Sequence, residues 1–292
     1  MWSLSLNLLV LCSVLSLGLA SHARSHPANL RQVGSCLSRE GVKTVWIIKQ
    51  WRLPSTTITK GFREKYPQEK NQTAIYKALS ESIKKKEIQL VLGTGCEGEI
   101  NEDFETKFNG WDYASLKKIS QTRSYPKILS HVPLKLEARY GEKTLTLCGD
   151  SEKLIEEGNI RLSNLRGWLG FWNRLTESQA DPEKLKLYSE TAASLLRVPK
   201  DTPAEKILSL IKENIRADLE GFQKSLADRN ERFVKQVQEH DYKTAAIVVS
   251  GPHIDDLKEK LQAAGLNCQI LEPPGYDKSD EKLIEEFQRA LK

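Results

Sequence analysis

Four short apolar runs of this sequence each end in side chains that can move protons or bind ions. The clearest case is His253, which follows the run AAIVV at 245–249 after a Ser-Gly-Pro turn. An imidazole titrates near neutral pH and can act as a general base or a metal ligand. The residues after the other three runs are Gln50, Trp51 and Arg52; Thr94, Glu97 and Glu99; and Cys148, Gly149 and Asp150. If the runs are parallel strands, these side chains meet at one edge of a sheet.

The residue types predict a role for each group, and each role has a structural alternative. We expect His253 to be a base or metal ligand, Glu97 or Glu99 an acid, and Arg52 an anion binder. The alternative for His253 is a helix-entry or surface residue. Glu97 and Glu99 would then be carboxylates of a surface loop.

The elements that position these side chains follow from hydrophobic periodicity. Five runs predict strands: 44–48, 88–92, 144–147, 245–249 and 268–271. A helical pattern at 71–85 lies between the first two, and a strand-helix-strand order indicates a parallel sheet.

The middle of the chain has the pattern of helices rather than strands. Helical segments are predicted at 151–157, 167–175, 181–196 and 203–240. The last should begin with Thr202 as its cap, Pro203 in its first position and Glu205 completing a capping box. The predicted fold is therefore a three-layer α/β fold with a central mixed, partly parallel sheet and a helical insertion at about 151–240.

The first twenty residues carry no charge and are followed by small and polar residues. This pattern predicts a signal peptide over 1–23, a single mature domain over 24–292 and a secreted or periplasmic location. The alternative is an uncleaved anchor, since a bilayer core needs a run of about this length.

Cys36, Cys96, Cys148 and Cys268 remain after removal of a signal peptide, and they lack the spacing of a zinc site. Four cysteines allow three pairings. We expect the pair Cys96–Cys148, because both residues lie just past predicted strand ends.

Charge and motifs exclude several functions. The net charge of +5 is spread over the whole chain, so no nucleic-acid partner is expected. The sequence has no nucleophile elbow, phosphate-binding loop, zinc-protease motif or dinucleotide fingerprint. A membrane partner is expected only if the amino-terminal segment stays uncleaved.

The segment LADRNERFVKQVQEHDYKTAAIVVSGPHIDDLKEKLQAAGLNCQIL at 226–271 resembles the carboxy-terminal part of the TraB-like superfamily. This superfamily includes the GumN, Tiki and ChaN-like proteins and is similar in fold to the erythromycin esterases. Its pattern has an arginine and an asparagine on a helix, then a strand that ends in a glycine-containing turn with a histidine. The matching positions here are Arg229, Asn230 and His253.

The first two motifs of that superfamily are altered in this chain. Lys49 and Arg52 stand where the family has the glycine and histidine of a G-x-x-H turn, and Thr94 stands at the position of a glutamate. Arginine has no lone pair for a cation, so the resemblance implies a degenerate metal site unless Glu97 or Glu99 substitutes. No cofactor is expected, and a divalent metal or haem is the alternative.

The resemblance implies a divergent hydrolase with His253, Arg229 and Glu97 as catalytic residues. Arg52, Asn230, Asp150 and Glu99 would bind the ligand, an anionic small molecule or peptide. We expect a mostly exposed His253 that meets Arg229 in a cleft. The alternatives are a non-catalytic binding module for an anionic ligand or haem, and an envelope-bound interaction protein if the signal is retained.

The mature chain is expected to begin soon after Ala20 or Ala23, because small residues there follow the apolar run as they do at signal cleavage sites. Amino-terminal sequencing of the exported protein measures this. A full-length chain that is extracted only with detergent would show that the segment remains as an anchor.

Overall fold

The computed structural model describes residues 27, 29–36, 39, 42–51, 67–100 and 132–292. The predicted signal segment and Arg52 lie outside these residues. The described strands are β1 (Arg31–Ser35), β2 (Thr44–Lys49), β3 (Leu90–Gly93), β4 (Glu97–Glu99), β5 (Leu145–Gly149), β6 (Thr244–Val249) and β7 (Asn267–Glu272). The helices are α1 (Gln68–Lys84), α2 (Val132–Tyr140), α3 (Glu152–Glu177), α4 (Pro182–Leu196), α5 (Ala204–Glu239), α6 (Ile254–Ala263) and α7 (Ser279–Leu291).

The seven strands form one mixed sheet in the order β1-β7-β2-β6-β3-β5-β4. The five inner strands run parallel, and the two edge strands pair antiparallel with their neighbours. Most residues of the inner strands are buried and apolar, as expected of parallel strands covered on both faces. All five therefore end at the same edge of the sheet.

Helices cover both faces of the sheet, which gives three layers. On one face α6 and the carboxy-terminal part of α5 pack against alternate residues of β6, such as Ile247 and Val249. On the other face α1 and α2 pack against Ala246 and Val248. The predicted fold class is confirmed.

Helix α5 belongs to two hydrophobic cores. Its 36 residues extend over about 54 Å, since an α-helix rises about 1.5 Å per residue. Its carboxy-terminal part covers the sheet, whereas Ile207 to Leu226 pack with α3, α4 and α7 in a separate helical core. This helix connects the strand edge to the helical part of the chain.

The predicted elements agree with the structure where the hydrophobic period is strong. The five predicted strands are present with ends shifted by up to two residues. The predicted break between 157 and 167 is wrong, because α3 runs through it. Gly158 occurs inside that helix where a Cβ atom would lie 3.0 Å from Ser225 Oγ on α5, so close helix packing explains this glycine. The edge strands β1 and β4 and helix α2 were not predicted, since they are short and the two strands are largely exposed.

Two disulfides connect distant parts of the chain. Cys36–Cys268 joins the end of β1 to β7, and Cys96–Cys148 joins the turn after β3 to β5, with Cα atoms 5.0 and 4.9 Å apart. The predicted pair Cys96–Cys148 is confirmed. Among the helices that the structure describes, none is long and apolar enough to cross a membrane.

Peptide mapping without reduction should recover the two pairs Cys36–Cys268 and Cys96–Cys148. Replacing both cysteines of either pair with serine should lower the free energy of unfolding by about 2–4 kcal/mol, because a cross-link reduces the entropy of the unfolded chain. Urea unfolding measures this loss. A peptide that links Cys36 to Cys96 or Cys148 would contradict the arrangement.

Candidate functional site

A buried carboxylate lies at the exit of β5. Asp150 is fully buried, and its Oδ1 accepts hydrogen bonds from the backbone N–H of Ser151 (3.0 Å) and from Arg229 Nε (2.7 Å). Its Oδ2 accepts from the backbone N–H of Gly95 (3.0 Å) and from Arg229 Nη2 (2.7 Å). The two-point contact between guanidinium and carboxylate is the strongest geometry available to such a pair. It joins α5 to the exits of β3 and β5.

Close approach of α5 to the sheet makes this contact possible. Gly149 precedes Asp150, and the ring of Phe233 on α5 occupies the place where a Cβ atom at position 149 would lie. Any larger residue at this position would displace the helix or the strand. Glycine is therefore required here by packing.

A histidine in a fixed orientation lies at the exit of β6. His253 ends the short 3₁₀ turn Gly251–His253, and its Nδ1 lies 2.7 Å from Asn230 Oδ1 on α5. Asn230 Nδ2 donates to Asp256 Oδ2 (2.8 Å) and to the carbonyl oxygen of His253 (3.1 Å). Because the amide nitrogen is occupied by these acceptors, Asn230 Oδ1 faces Nδ1. A neutral His253 must therefore carry its proton on Nδ1 and its lone pair on Nε2.

Two expectations about His253 are wrong. Its side chain is only 1% exposed, whereas a mostly exposed imidazole was expected. The side chain at its Nδ1 is that of Asn230, whereas Arg229 binds Asp150. Consecutive residues of an α-helix point about 100° apart, so Arg229 and Asn230 reach different strand exits.

The acidic candidates on β4 lie at the exposed edge of the sheet. Glu97 Oε1 pairs with Arg232 Nη2 at 3.0 Å, and its Oε2 accepts from the backbone N–H of Glu152 at 2.9 Å. The second contact places a carboxylate at the amino terminus of α3, where the helix dipole favours it. Glu99 is exposed on the same strand. The structure thus groups Glu97 with Arg232 and α3 rather than with His253.

Sequence reasoning noted Gln50 and Thr94 as strand-exit residues but assigned them no role. Both are buried, and Gln50 Nε2 donates to Thr94 Oγ1 (2.8 Å) and to the carbonyl oxygen of Val248 (3.2 Å). Gln50 Oε1 is buried without a hydrogen-bond partner. The sequence signal for such a site was a glutamine one residue after the apolar run 45–48.

Gln50 lies where the connections that follow two adjacent strands go to opposite faces of the sheet. Its strand β2 continues to α1 on one face of the sheet, whereas the adjacent strand β6 continues to α6 on the opposite face. Open α/β sheets bind their ligands at the carboxyl ends of strands where the connections diverge in this way. The buried acceptor of Gln50 lies at that point.

Lys49 occupies the position at which the resemblance predicts glycine. Its ammonium lies 3.3 Å from Glu281 and 3.8 Å from Glu272, and 5.2 Å from the centre of the Tyr276 ring. Burial and the hydrogen bond that Tyr276 donates to Glu281 raise the pKa of Tyr276 above its ordinary value. This cluster attaches α7 to the ends of β2 and β7.

A groove of about 480 Å³ opens beside the exit of β3, between Gly95 and one face of α3. Among the residues with described positions, no cluster of three His, Cys, Asp or Glu side chains is arranged to hold a metal ion. No protein-family model, characterised protein or solved structure matches the chain. The resemblance of 226–271 therefore stays a prediction.

Replacing Asp150 with asparagine should lower the free energy of unfolding by about 3–5 kcal/mol, since it leaves the mostly buried Arg229 guanidinium without a counter-charge. Urea unfolding of the purified variant measures the loss. Glu97→Gln is the matched control, because the Glu97–Arg232 pair is half exposed and should cost about 1 kcal/mol or less. Equal losses of unfolding free energy in the two variants would show that the buried Asp150–Arg229 pair stabilises the fold no more than the half-exposed Glu97–Arg232 pair.

Proposed function

We propose that this chain is an exported, divergent member of the TraB/ChaN-like superfamily that hydrolyses its substrate with His253 as the base. The observation that carries the proposal is the hydrogen bond between His253 Nδ1 and Asn230 Oδ1, in which Asn230 is itself fixed by Asp256. With the proton of a neutral imidazole on Nδ1, the basic nitrogen of the ring is Nε2. A general base needs this combination of fixed orientation and defined tautomer.

In the proposed reaction, Nε2 of His253 takes a proton from water as the water oxygen attacks a carbonyl or phosphoryl centre. Asn230 Oδ1 accepts the hydrogen bond from Nδ1–H throughout and stabilises the imidazolium that forms. The imidazolium then returns the proton to the leaving group, which completes hydrolysis without a net change in the enzyme.

Arg229 receives a different role from the one that the resemblance implies. Both its Nε and its Nη2 donate to Asp150, so we propose that it positions α5 and does not contact the substrate. The residue beside it, Asn230, is thereby held against His253. Asp150 belongs to the same support.

Export and a single domain with a helical insertion are parts of the proposal. Two disulfides and the apolar amino-terminal segment support a location outside the cytoplasm, where disulfides persist. The continuous helix α5, which packs in both the sheet core and the helical core, supports one domain rather than two.

Replacing His253 with asparagine should abolish hydrolysis, because an asparagine amide can occupy the Nδ1 position but lacks the basic Nε2. We expect a loss of at least about 100-fold, the usual contribution of a general base. The measurement is turnover of p-nitrophenyl acetate, p-nitrophenyl phosphate and a fluorogenic casein peptide by the purified mature protein. Each assay is repeated with a metal chelator, which should leave the rate unchanged.

His240→Asn is the matched control, since His240 also uses its Nδ1, in a contact with the carbonyl oxygen of Gln236 at the end of α5. This variant should retain full activity. Circular dichroism and thermal unfolding separate loss of chemistry from loss of fold. Equal activity of His253→Asn and the wild type would refute the proposal, and ligand binding without turnover would favour a non-catalytic module for an anionic ligand or haem.

A further inference from the structure

The connection between β3 and β4 crosses the end of β5. In the sheet, β3 and β4 lie on opposite sides of β5, about 10 Å apart, since neighbouring strands are separated by about 4.8 Å. Gly93 of β3 and Gly98 of β4 are both level with Cys148 of β5. Only residues 94–96 connect the two strands, so this short crossing loop has to pass close to the exit of β5.

Three contacts hold the crossing loop on the exit of β5. The disulfide joins Cys96 of the loop to Cys148 of the strand. Asp150 donates its backbone N–H to the carbonyl oxygen of Cys96 (3.2 Å), and the N–H of Gly95 donates to Asp150 Oδ2 (3.0 Å). Asp150 is fully buried, although it is the first residue after its strand. The crossing loop therefore helps to exclude water from this carboxylate.

The disulfide supports the Asp150–Arg229 pair because it keeps the crossing loop in this position. A buried ion pair holds its two side chains more strongly than an exposed pair, whose attraction water screens. The two hydrogen bonds of the loop can open and close, whereas the covalent bond stays closed. Without the disulfide, opening of the loop would admit water to Asp150 and remove the Gly95 N–H from its carboxylate. Arg229 would then have a solvated and weaker partner.

Arg229 transmits this change to the histidine through its neighbour on α5. Asn230 is the next residue, and its Oδ1 accepts the hydrogen bond from Nδ1 of His253 (2.7 Å). When Arg229 is held less firmly, α5 can shift at this turn, and the contact between Asn230 and His253 weakens. The Cys36–Cys268 disulfide shares no residue with these contacts, since it joins β1 to β7, which β2 and β6 separate from β3.

We propose that the Cys96–Cys148 disulfide is a positioning element for His253. By keeping water from Asp150, it fixes α5 in the position at which Nδ1 of the imidazole carries the proton. The inference deepens the proposed function, because His253 is the base in that proposal, but the tautomer can be measured without turnover.

A dithiol reverses this positioning by reducing the bond. One thiolate of the reagent attacks the sulfur of Cys96, which is partly exposed, and the buried Cys148 leaves as a thiolate. The second thiol of the reagent then displaces Cys96 and closes a cyclic disulfide. The two cysteines end as thiols that carry the two electrons and two protons of the dithiol.

The test compares the double variant Cys96→Ser/Cys148→Ser with the matched control Cys36→Ser/Cys268→Ser. Long-range proton–nitrogen NMR spectra of the imidazole, at a pH where it is neutral, give the ratio of the Nδ1–H to the Nε2–H tautomer of His253. In the first variant this ratio should fall about tenfold, the weight of one hydrogen bond, whereas the control should keep the wild-type ratio. Both variants lose a cross-link, so a general loss of stability does not produce this difference.

Reduction of the folded wild-type protein with dithiothreitol, with mass mapping of the opened pair, gives the same comparison without a substitution and covers a variant that fails to fold. Asp150→Asn is the positive control and should also lower the tautomer ratio. An unchanged ratio after opening of Cys96–Cys148, equal effects of the two disulfides, or an Nε2–H tautomer in the wild type would overturn the proposal. The hydrolase proposal fails separately, if His253 has the Nδ1–H tautomer but the protein turns over no substrate.

Discussion

The buried carboxylate of Asp150 is the constraint on which the strand-exit edge depends. A fully buried charge is costly unless it is paired and hydrogen-bonded, and here four donors from three parts of the chain supply that compensation. The turn after β3, the start of α3 and the middle of α5 must all stand within hydrogen-bond distance of one group. The Cys96–Cys148 disulfide joins the same two strand ends covalently.

The position of α5 follows from this pair and determines the environment of His253. When Arg229 is bound to Asp150, the next residue along the helix, Asn230, faces the exit of β6. There Asn230 Oδ1 accepts a hydrogen bond from Nδ1 of His253. Arg232, one turn further on, reaches Glu97 on β4. A shift of α5 by one residue would break all three contacts, so the tautomer of His253 depends on a salt bridge that it does not touch.

Several polar groups at this edge of the sheet connect one element to another. Lys49 binds α7 to β2, and Asn71 of α1 accepts from the backbone N–H of Trp51 just after the same strand. Asn71 is itself fully buried, which places the one glycosylation sequon of the chain out of reach in the folded state. Gln50 Oε1 at this edge is buried and has no hydrogen-bond partner.

The sequence by itself determined the inner strands and most of the helices, because these follow from the spacing of apolar residues along short segments. It left three cysteine pairings open, and the tertiary structure decided among them, since the expected pair Cys96–Cys148 requires β3 and β5 to be neighbours in the sheet. The sequence also indicated that Asp150 and His253 lie at strand exits, and the resemblance pointed to Asn230 on a helix. Tertiary structure alone decided that Arg229 binds Asp150, 79 residues away, and that His253 is buried against Asn230. Thr202 does not cap α5 as predicted, because its hydroxyl donates to the carbonyl oxygen of Pro199. Local periodicity specifies which face of an element is apolar, but the partner of a polar side chain depends on how helices rotate and approach the sheet, and no short stretch of sequence contains that information.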